Sequence, residues 1–291
     1  MNMKKPDKKQ TALPDLELRE GQSLELLKAL HILTREGKIN QDSRRKLKQV
    51  NHLLQFIGPL LQSALAQNGG VCLVDHGAGK SYLGFMLYDA FLKKPDLQGQ
   101  VVGIESRAEL VERSHALAQQ LGFKGMAFHH LTVAQALESE EIPAAVDIVT
   151  ALHACNTATD DAIEFGLRRQ CAAFVLVPCC QAEVAAQLRA GKNNMRATSS
   201  LTELWRHPLH TREFGSQVTN VLRCLRLEAS GYEVTVTELV GWEHSMKNEL
   251  IIAKKTPSAA GKKATQAAQK LNELLQSLGL EAMAPRFAPA N

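Results

Sequence analysis

The sequence predicts an α/β fold in which helices cover both faces of a mostly parallel sheet. Continuous apolar segments alternate with helical segments between residues 69 and 190, a pattern typical of buried parallel strands joined by crossover helices. Two later strand-like segments flank residues 241–248. Because so short a connection has no room for a crossover helix, we expect these two strands to form an antiparallel hairpin at the end of the sheet.

Helices are predicted ahead of the sheet, in a first region that spans residues 1–68. Residues 1–20 form a basic, polar arm, and leucines then recur at helical spacing over residues 24–34. A second helix is predicted from the spacing of apolar residues over residues 47–61. Pro59 is expected to kink this helix or to end it, because proline lacks the backbone N–H that a helix interior requires.

The central region, residues 69–255, is predicted to contain the sheet and its helices. The parallel strands are expected at Val71–Asp75, Val101–Glu105, Met126–Leu131, Val146–Leu152 and Ala172–Val177. The helices between them are expected at Ser81–Leu92, Ala108–Leu121, Thr159–Arg169 and Ala182–Ala190. The closing hairpin is expected at Tyr232–Val240 and Glu249–Lys254. Residues 256–291 are predicted to form a tail rich in lysine and alanine, with an amphipathic helix near Ala264–Leu278.

Composition excludes several classes of protein. Of the 291 residues, 45% are hydrophobic and 22% are charged, which is inconsistent with disorder of the chain as a whole. No apolar run approaches the roughly 18 residues that a membrane span requires, and the lysine-rich start lacks the apolar stretch of a signal peptide. The six cysteines lack the regular spacing of a secreted disulfide scaffold. We therefore expect a cytoplasmic protein with reduced thiols and no membrane partner.

Positive charge is concentrated at both ends of the chain and in one internal stretch. That stretch belongs to a basic insertion predicted at residues 189–230, and its cations are Arg189, Lys192, Arg196, Arg206, Arg212, Arg223 and Arg226. Only Glu203 and Glu213 oppose these cations over residues 189–226. Such a patch favours binding to a polyanion such as RNA. The basic ends are also consistent with solvated tails.

A glycine-rich turn, Asp75-His76-Gly77-Ala78-Gly79-Lys80-Ser81, follows the first predicted strand. A phosphate-binding P-loop would require a glycine at Val74, and the strand occupies that position. A dinucleotide-binding fingerprint would require a glycine at Tyr82, where a bulky ring opposes close packing of the helix on the strand. The P-loop is therefore excluded, and the dinucleotide interpretation is disfavoured.

An adenosyl-binding site explains the turn better. Gly77 and Gly79 would let the backbone pass close to the ligand, and the acidic residues Asp75 and Glu105 close the first two strands. A carboxylate at Glu105 can accept hydrogen bonds from both hydroxyls of a ribose. The expected adenosyl ligand is S-adenosylmethionine. It contains no pyrophosphate, so the site does not need a helix N-terminus that binds pyrophosphate. This cofactor is expected to contact Asp75, Gly77, Ala78, Gly79, Glu105, Ser106, Thr132 and Leu152.

Two motifs resemble a widespread family of Rossmann-like class I methyltransferases, whose parallel sheet ends in an antiparallel hairpin. The motifs are Leu152-His153-Ala154-Cys155 followed by Thr159-Asp160, and Pro178-Cys179-Cys180-Gln181. The family pairs such a His-x-Cys stretch after its fourth strand with a double cysteine after its fifth. Its members include the eukaryotic tRNA acceptor-stem 2′-O-ribose methyltransferases and related methyltransferase-like proteins. The resemblance covers roughly residues 46–254.

The resemblance implies an S-adenosylmethionine-dependent methyltransferase, and the basic stretch favours RNA, either tRNA or rRNA, as its substrate. The residues expected around the reaction are His153, Cys155, Asp160, Cys179 and Cys180. His153 is the natural general base, since histidine titrates near neutral pH. Asp160 would either orient His153 or stabilise the first turn of its own helix. The substrate is expected to contact Lys80, Tyr82, Gln181 and Arg196.

Alternatives remain open for the cysteines and for the activity. The cysteines could supply a nucleophile that attacks C6 of a pyrimidine. With His153 they could bind a metal, although their spacing is unlike that of tetrahedral zinc sites, and we expect none. A packing role near the methionine part of the cofactor is the simplest account. The methyl acceptor could also be a protein or a small molecule, and the chain could be a non-catalytic cofactor-binding protein.

Overall fold

A computed structural model of the protein describes residues 19, 21–94, 96–152, 154, 156–178, 181–190, 203, 206–239 and 249–289. The strands are β1 (Gly70–His76), β2 (Gln98–Glu105), β3 (Met126–His130), β4 (Ile148–Leu152), β5 (Ala173–Val177), β6 (Tyr232–Glu238) and β7 (Glu249–Lys255). Within the described ranges they form one sheet in the order β3-β2-β1-β4-β5-β7-β6. Strands β1 to β5 are parallel, and β7 pairs antiparallel with both β5 and β6. The predicted Rossmann-like sheet with a terminal antiparallel hairpin is thus confirmed.

Helices precede, connect and follow the strands. They are α1 (Leu24–Ala29), α2 (Gln41–Asn68), α3 (Tyr82–Leu87), α4 (Ala108–Gln120), α5 (Val133–Glu138), α6 (Ala158–Arg168), α7 (Glu183–Ala190), α8 (Pro208–Ala229), α9 (Lys262–Ser277) and α10 (Ala284–Phe287). Helix α3 continues as a π-helical turn at Tyr88–Leu92. Among the described residues, no helix is both long enough and apolar enough to cross a membrane.

The sheet is covered on both faces because its strands are apolar on both sides. Successive side chains of β1 point to opposite faces, so Leu73 and Val74 belong to different buried clusters. The Leu73 cluster includes Ile57 of α2 and Phe85 of α3, and the Val74 cluster includes Phe165 of α6. Continuous apolar runs therefore predict this three-layer arrangement correctly.

The two N-terminal helices depart from their predicted lengths. Helix α1 ends at Ala29, five residues before the predicted end at Thr34, and His31 adopts a left-handed conformation with φ of 55°. Helix α2 continues through Pro59 to Asn68. Of the two outcomes expected at the proline, an end of the helix is wrong, because Ile57 and Leu61, on either side of it, are completely buried. Burial of this apolar face outweighs the cost of the missing hydrogen bond, about 3 kcal/mol.

The C-terminal residues pack against the domain instead of forming a solvated tail. The predicted amphipathic helix is present as α9, and its Leu271 and Leu275 join a buried cluster with Leu188 of α7 and Leu222 of α8. The backbone carbonyl of Ala288 accepts a hydrogen bond of 2.8 Å from Nε of Arg226. Residues up to 289 therefore complete one side of the domain.

Helix α8 corrects the interpretation of residues 189–230 as a basic insertion. The helix packs against the body of the domain, and it buries two of the seven cations that were expected to meet a polyanion. Arg223 is 1% exposed and pairs with Asp160, while Arg226 is 4% exposed and pairs with Glu164. The helical pattern could not reveal this burial, because the matching carboxylates lie on α6 and are distant in sequence.

Gly215 allows α8 to pack closely against α7, and a larger residue there should separate the two helices. A Cβ atom at this position would lie 2.7 Å from the Cβ and the backbone nitrogen of Ala185. Replacing a glycine within a helix by alanine normally stabilises it by about 1 kcal/mol. We expect the opposite sign for Gly215→Ala, a loss of about 1–3 kcal/mol in the free energy of unfolding, because overpacking outweighs helix propensity.

Urea denaturation followed by circular dichroism measures this loss. The exposed residue Gln217 of the same helix supplies the control, and Gln217→Ala should change the free energy of unfolding by about 0.5 kcal/mol or less. If Gly215→Ala stabilises the protein, the close approach of α7 and α8 is not a constraint on the fold.

Candidate functional site

The strand order reverses between β1 and β4, and ligands of open α/β sheets bind beside the carboxyl ends of the strands at such a point. Asp75 lies next to the end of β1, Glu105 ends β2 and Leu152 ends β4. In the sheet register Asp75 is aligned with Gly103 of β2 and Thr150 of β4. The predicted cofactor residues on these strands therefore meet at one edge of the sheet.

The turn after β1 has a backbone that requires glycine. Gly77 and Gly79 have φ of 66° and 58°, in the left-handed region that other residues rarely adopt. The backbone N–H of Ala78 donates a hydrogen bond of 3.0 Å to the carbonyl of Ile104, which fastens the turn to β2. Among the described residues, an added Cβ at Gly77 would meet only Ala154, at 3.6 Å. The left-handed conformation thus explains this glycine.

Glu105 presents an ionised carboxylate at the end of β2. Its Oε2 accepts a hydrogen bond of 2.7 Å from the backbone N–H of Gly79, and its Oε1 accepts one of 2.9 Å from Nε of Arg107. Burial alone would raise the pKa of Glu105, but the hydrogen bonds from Arg107 and Gly79 outweigh it and hold this pKa below its ordinary value. The glycine turn and the predicted ribose-binding carboxylate are therefore in direct contact.

Asp75 is a buried carboxyl group that lacks a cationic partner among the described residues. Its side chain accepts a hydrogen bond of 2.7 Å from Oγ1 of Thr150. Burial raises the pKa of Asp75 to about 7, although the bond from Thr150 opposes this shift. A positively charged group placed beside Asp75 would favour its ionised form. The amino group of S-adenosylmethionine has this charge, so Asp75, the glycine turn and Glu105 fit the expected cofactor.

His76, which follows Asp75, was not identified from the sequence. It is completely buried, and neither ring nitrogen has a hydrogen-bond partner among the described residues. Its ring packs edge-on against Phe165 with centroids 4.6 Å apart. Burial lowers the pKa of His76 to about 3, so the ring is neutral. His76 thus packs within the core beneath the turn.

The other predicted cofactor residues have local structural roles. Thr132 is the N-cap residue of α5. Its Oγ1 accepts a hydrogen bond of 3.2 Å from the N–H of Gln135, and the Gln135 side chain accepts one from the N–H of Thr132. The carbonyl of Ser106 lies 3.0 Å from Nε2 of His130, a contact that joins the ends of β2 and β3. Leu152 is half-buried. The spacing Thr-x-x-Gln is a capping box, a signal that could have predicted α5.

Asp160 is held by a buried ion pair. Nε and Nη2 of Arg223 donate to its two carboxylate oxygens at 2.8 and 2.7 Å, and Nη2 also donates to the carbonyl of Asn156 at 2.9 Å. Oγ1 of Thr159 donates to the carbonyl of Ala154 at 2.6 Å. These contacts hold the described parts of the loop after β4. Asp160 also lies in the first turn of α6, which was one of its two expected roles.

The same network reaches the residues after β5. Gln181 is 6% exposed, and its Nε2 donates to Oδ1 of Asn220 at 2.6 Å. Asn220 also accepts a hydrogen bond from Arg223 and donates one to Glu249 at the start of β7. The N–H of Ala182 donates to the side chain of Asn156. Gln181, which was expected to contact substrate, thus lies in the polar interior. Its side-chain oxygen Oε1 has no hydrogen-bond partner among the described residues.

Lys80 and Tyr82, which were expected to contact substrate, both line a cavity of about 400 Å³ between α1, α3 and α4. Lys80 is exposed, and Nζ of Lys46 lies 5.5 Å from the centroid of the Tyr82 ring. Arg113 of α4 and His31 also line this cavity. Neither was identified from the sequence, since only the packing of α4 beside α1 brings them to Lys80.

Five predicted site residues lie outside the part of the chain that the structure describes. They are His153, Cys155, Cys179, Cys180 and Arg196. The alternative metal site also falls on four of these residues. Within the described ranges, no group of three histidine, cysteine or acidic side chains is placed to hold a metal ion.

Comparison with protein families identifies the domain. Residues 45–187 match the family model of a methyltransferase domain, a range that begins in α2, ends in α7 and contains the glycine turn and Glu105. The chain carries a class I methyltransferase domain. S-adenosylmethionine is the cofactor of this domain.

Two curated relatives are glutathione S-transferase C-terminal domain-containing proteins. The protein from Xenopus laevis is 24% identical over 238 residues, which cover 75% of this chain and 35% of the relative. The protein from Bos taurus is 27% identical over 180 residues, which cover 62% of this chain and 25% of the relative. The methyltransferase chain therefore spans about a third or less of the length of these relatives.

Solved methyltransferase structures are similar in fold at low sequence identity. Magnesium protoporphyrin IX methyltransferase from Synechocystis PCC 6803, with bound S-adenosylhomocysteine, is 13% identical, with a TM-score of 0.43 over 79% of this chain and 94% of that one. An rRNA methylase from Streptococcus thermophilus is 8% identical, with a TM-score of 0.39 over 64% of this chain and 87% of that one. These likenesses concern the fold alone.

Removing Arg223 should leave Asp160 as an uncompensated buried charge. We expect Arg223→Met to lower the free energy of unfolding by about 3–5 kcal/mol, the usual result of breaking a buried ion pair on one side. The exposed Arg212 of the same helix supplies the control, and Arg212→Met should lower it by about 1 kcal/mol or less. Urea denaturation measures both, and equal losses in the two variants would contradict a special role for Arg223.

The raised pKa of Asp75 predicts that its ionisation destabilises the cofactor-free protein. Between the unfolded value of 3.8 and the folded value of about 7, the folded state binds the proton more tightly, so stability falls as pH rises. Asp75→Asn removes this ionisation. We expect the stability of the variant relative to wild type to increase from pH 4 to pH 8 by a few kcal/mol, at about 1.4 kcal/mol per pKa unit.

Denaturation at several pH values, without cofactor, measures this difference. Glu105→Gln provides a control of opposite sign, because the pKa of Glu105 is lowered from 4.5 and its charge stabilises the fold above that pH. Its deficit should grow as pH rises through 4.5 and should then stay constant up to pH 8. A stability difference for Asp75→Asn that stays constant from pH 4 to pH 8 would show that Asp75 is not a strained buried acid.

Proposed function

We propose that the protein methylates RNA, either tRNA or rRNA, with S-adenosylmethionine as methyl donor. The observation that carries the proposal is unpaired positive charge beside the glycine turn. The side chains of Lys80 and Arg113 line the same cavity, and neither has an ion-pair partner among the described residues. Lys80 directly follows Gly79, whose N–H contacts Glu105. Phosphate groups of RNA would be attracted to cations in this position.

The residues of this chain would position the cofactor at three points. Glu105 would accept hydrogen bonds from the ribose hydroxyls, and the Gly77–Gly79 backbone would lie along the adenosyl group. Asp75 would face the amino group, which would favour its ionised form. When bound, S-adenosylmethionine supplies a methyl group activated by its positively charged sulfur.

Alignment of the acceptor is the main task of the protein in an in-line methyl transfer. The ion pair of Asp160 with Arg223, and its contacts to Asn156 and Asn220, support alignment because they join the loops after β4 and β5 to one helix. His153 as general base remains a prediction, as do the roles of Cys155, Cys179 and Cys180. The 5-methylpyrimidine chemistry that a cysteine nucleophile would allow also remains open.

The basic stretch gives narrower support for RNA than its sequence indicates. Three of its arginines are exposed, namely Arg189, Arg206 and Arg212. The other two described ones, Arg223 and Arg226, form buried ion pairs. Glu203 and Glu213 each contact one of the exposed arginines. Lys80 and Arg113, at the cavity beside the glycine turn, therefore support the proposal more strongly than this basic stretch does.

Transfer of labelled methyl groups from S-adenosylmethionine to total RNA tests the proposal. We expect the wild-type protein to label RNA, with label released by ribonuclease, and Gly77→Arg to label none. The substitution places a side chain on a backbone with φ of 66°, at the point where the cofactor would lie. RNA binding should weaken with salt, with a logarithmic slope of about one per phosphate contact.

A matched control separates loss of cofactor from loss of stability. Gly231 also has positive φ, 86°, but an added Cβ there would meet no atom of the described residues within 4 Å. Calorimetry should show that Gly231→Arg binds S-adenosylhomocysteine like wild type, that Gly77→Arg does not, and that NAD binds to neither. If label is found only in protein or in small molecules, RNA is not the methyl acceptor and the alternative acceptors take its place. Cofactor binding without transfer to any substrate pool would support the non-catalytic alternative.

A further inference from the structure

We propose that the cavity between α1, α3 and α4 binds one nucleotide of the RNA substrate, an inference that rests on the proposed function. The cavity has a volume of about 400 Å³, within the range of about 300–1,000 Å³ typical of small-ligand sites. It lies beside the cofactor turn, since Lys80 both lines it and follows Gly79. A nucleotide held there would anchor the RNA next to the site of methyl transfer.

The lining of the cavity matches the two parts of a nucleotide. Leu30, Leu110 and Leu117 form an apolar surface, and Tyr82 adds an aromatic ring on which a base can stack. Lys80 and Arg113 supply positive charge for a phosphate, and the guanidinium of arginine can donate two parallel hydrogen bonds to it. None of the described residues that line the cavity is acidic. An anionic aromatic ligand therefore fits it better than a cationic or purely apolar one.

The N-terminal wall of the cavity is firmly attached to the domain. Leu26 and Leu27 of α1 are completely buried. The backbone N–H of Ser23, which caps this helix, donates a hydrogen bond of 2.9 Å to the buried carboxylate of Asp89. The left-handed conformation of His31 turns the chain at the end of α1, where Leu30 and His31 contribute to the cavity. The residues before the methyltransferase sheet thus complete the proposed site.

A larger cavity does not compete for this role. It has a volume of about 870 Å³ and is lined by Lys93, Lys94 and Lys124. Gly70 and Gln98, the first residues of β1 and β2, also line it. It therefore lies at the amino-terminal edge of the sheet, away from Glu105 and the cofactor turn.

Titration with uridine 5′-monophosphate, in the presence of saturating S-adenosylhomocysteine, tests the cavity directly. Bound S-adenosylhomocysteine keeps uridine 5′-monophosphate out of the cofactor site. We expect saturable binding of the nucleotide and weaker binding of both uridine and inorganic phosphate, since each carries only half of the recognised chemistry. Arg113→Glu should weaken nucleotide binding by at least about tenfold, the effect of losing a charge-assisted contact. Its affinity for S-adenosylhomocysteine should match that of wild type, which also verifies folding.

Two further variants make the result specific. Arg113→Gln should show a smaller loss of nucleotide affinity, because it removes the charge without reversing it. Lys262→Glu reverses an exposed charge at the start of α9, which packs against α8, and should leave nucleotide binding unchanged. Equal affinities of Arg113→Glu, Lys262→Glu and wild type for the nucleotide would overturn the assignment of the cavity.

The RNA methylation assay distinguishes failure of this inference from failure of the proposed function. We expect Arg113→Glu to raise KM for RNA by at least about tenfold, in proportion to the loss of nucleotide affinity. RNA labelling with an unchanged KM would overturn the inference while the RNA methyltransferase activity stands. Absence of RNA labelling by wild type would overturn the proposed function. Nucleotide binding that depends on Arg113 would then identify the ligand as a free nucleotide and overturn its assignment to RNA.

Discussion

The buried ion pair between Arg223 and Asp160 is the interaction on which the arrangement of the candidate site depends. Asp160 lies in the first turn of the helix that follows β4, and Arg223 belongs to the helix that precedes the terminal hairpin. Their contacts extend to Asn156 after β4 and, through Asn220, to Gln181 after β5 and Glu249 of β7. Several segments that are far apart in sequence are thus held by one hydrogen-bonded group.

The two carboxylates predicted to bind the cofactor have opposite environments. Glu105 is satisfied by Gly79 and Arg107, so its charge is stable before any ligand arrives. Among the described residues, buried Asp75 has only the hydroxyl of Thr150 as a partner, so its negative charge lacks a cation beside it. A neutral, hydroxyl-rich ribose suits the first environment and a cationic amino group suits the second. If these two carboxylates bind the cofactor as proposed, the local electrostatics would favour one orientation of S-adenosylmethionine along the sheet edge.

The sequence predicts the sheet well because strand periodicity and glycine turns are local signals. The parallel strands, the hairpin and the turn at Gly77 all follow from short segments. Burial of Arg223 does not, since its partner Asp160 is 63 residues away and the charge alone indicates a surface position. Arg113 was not predicted for the same reason. Its proposed role in the cavity depends on α1 and α3, which only the tertiary structure places beside it.

The burial of Arg223 and Arg226 changes the direction from which a polyanion would approach. With these charges neutralised inside the domain, the stretch that contains them contributes less to the surface potential than its sequence indicates. Lys80 and Arg113 have no ion-pair partner in the described part of the chain, and both line the cavity beside the glycine turn. Lys46 adds a further cation over the ring of Tyr82. On the face formed by α1, α3 and α4, the proposed phosphate contacts would therefore lie beside the predicted cofactor turn.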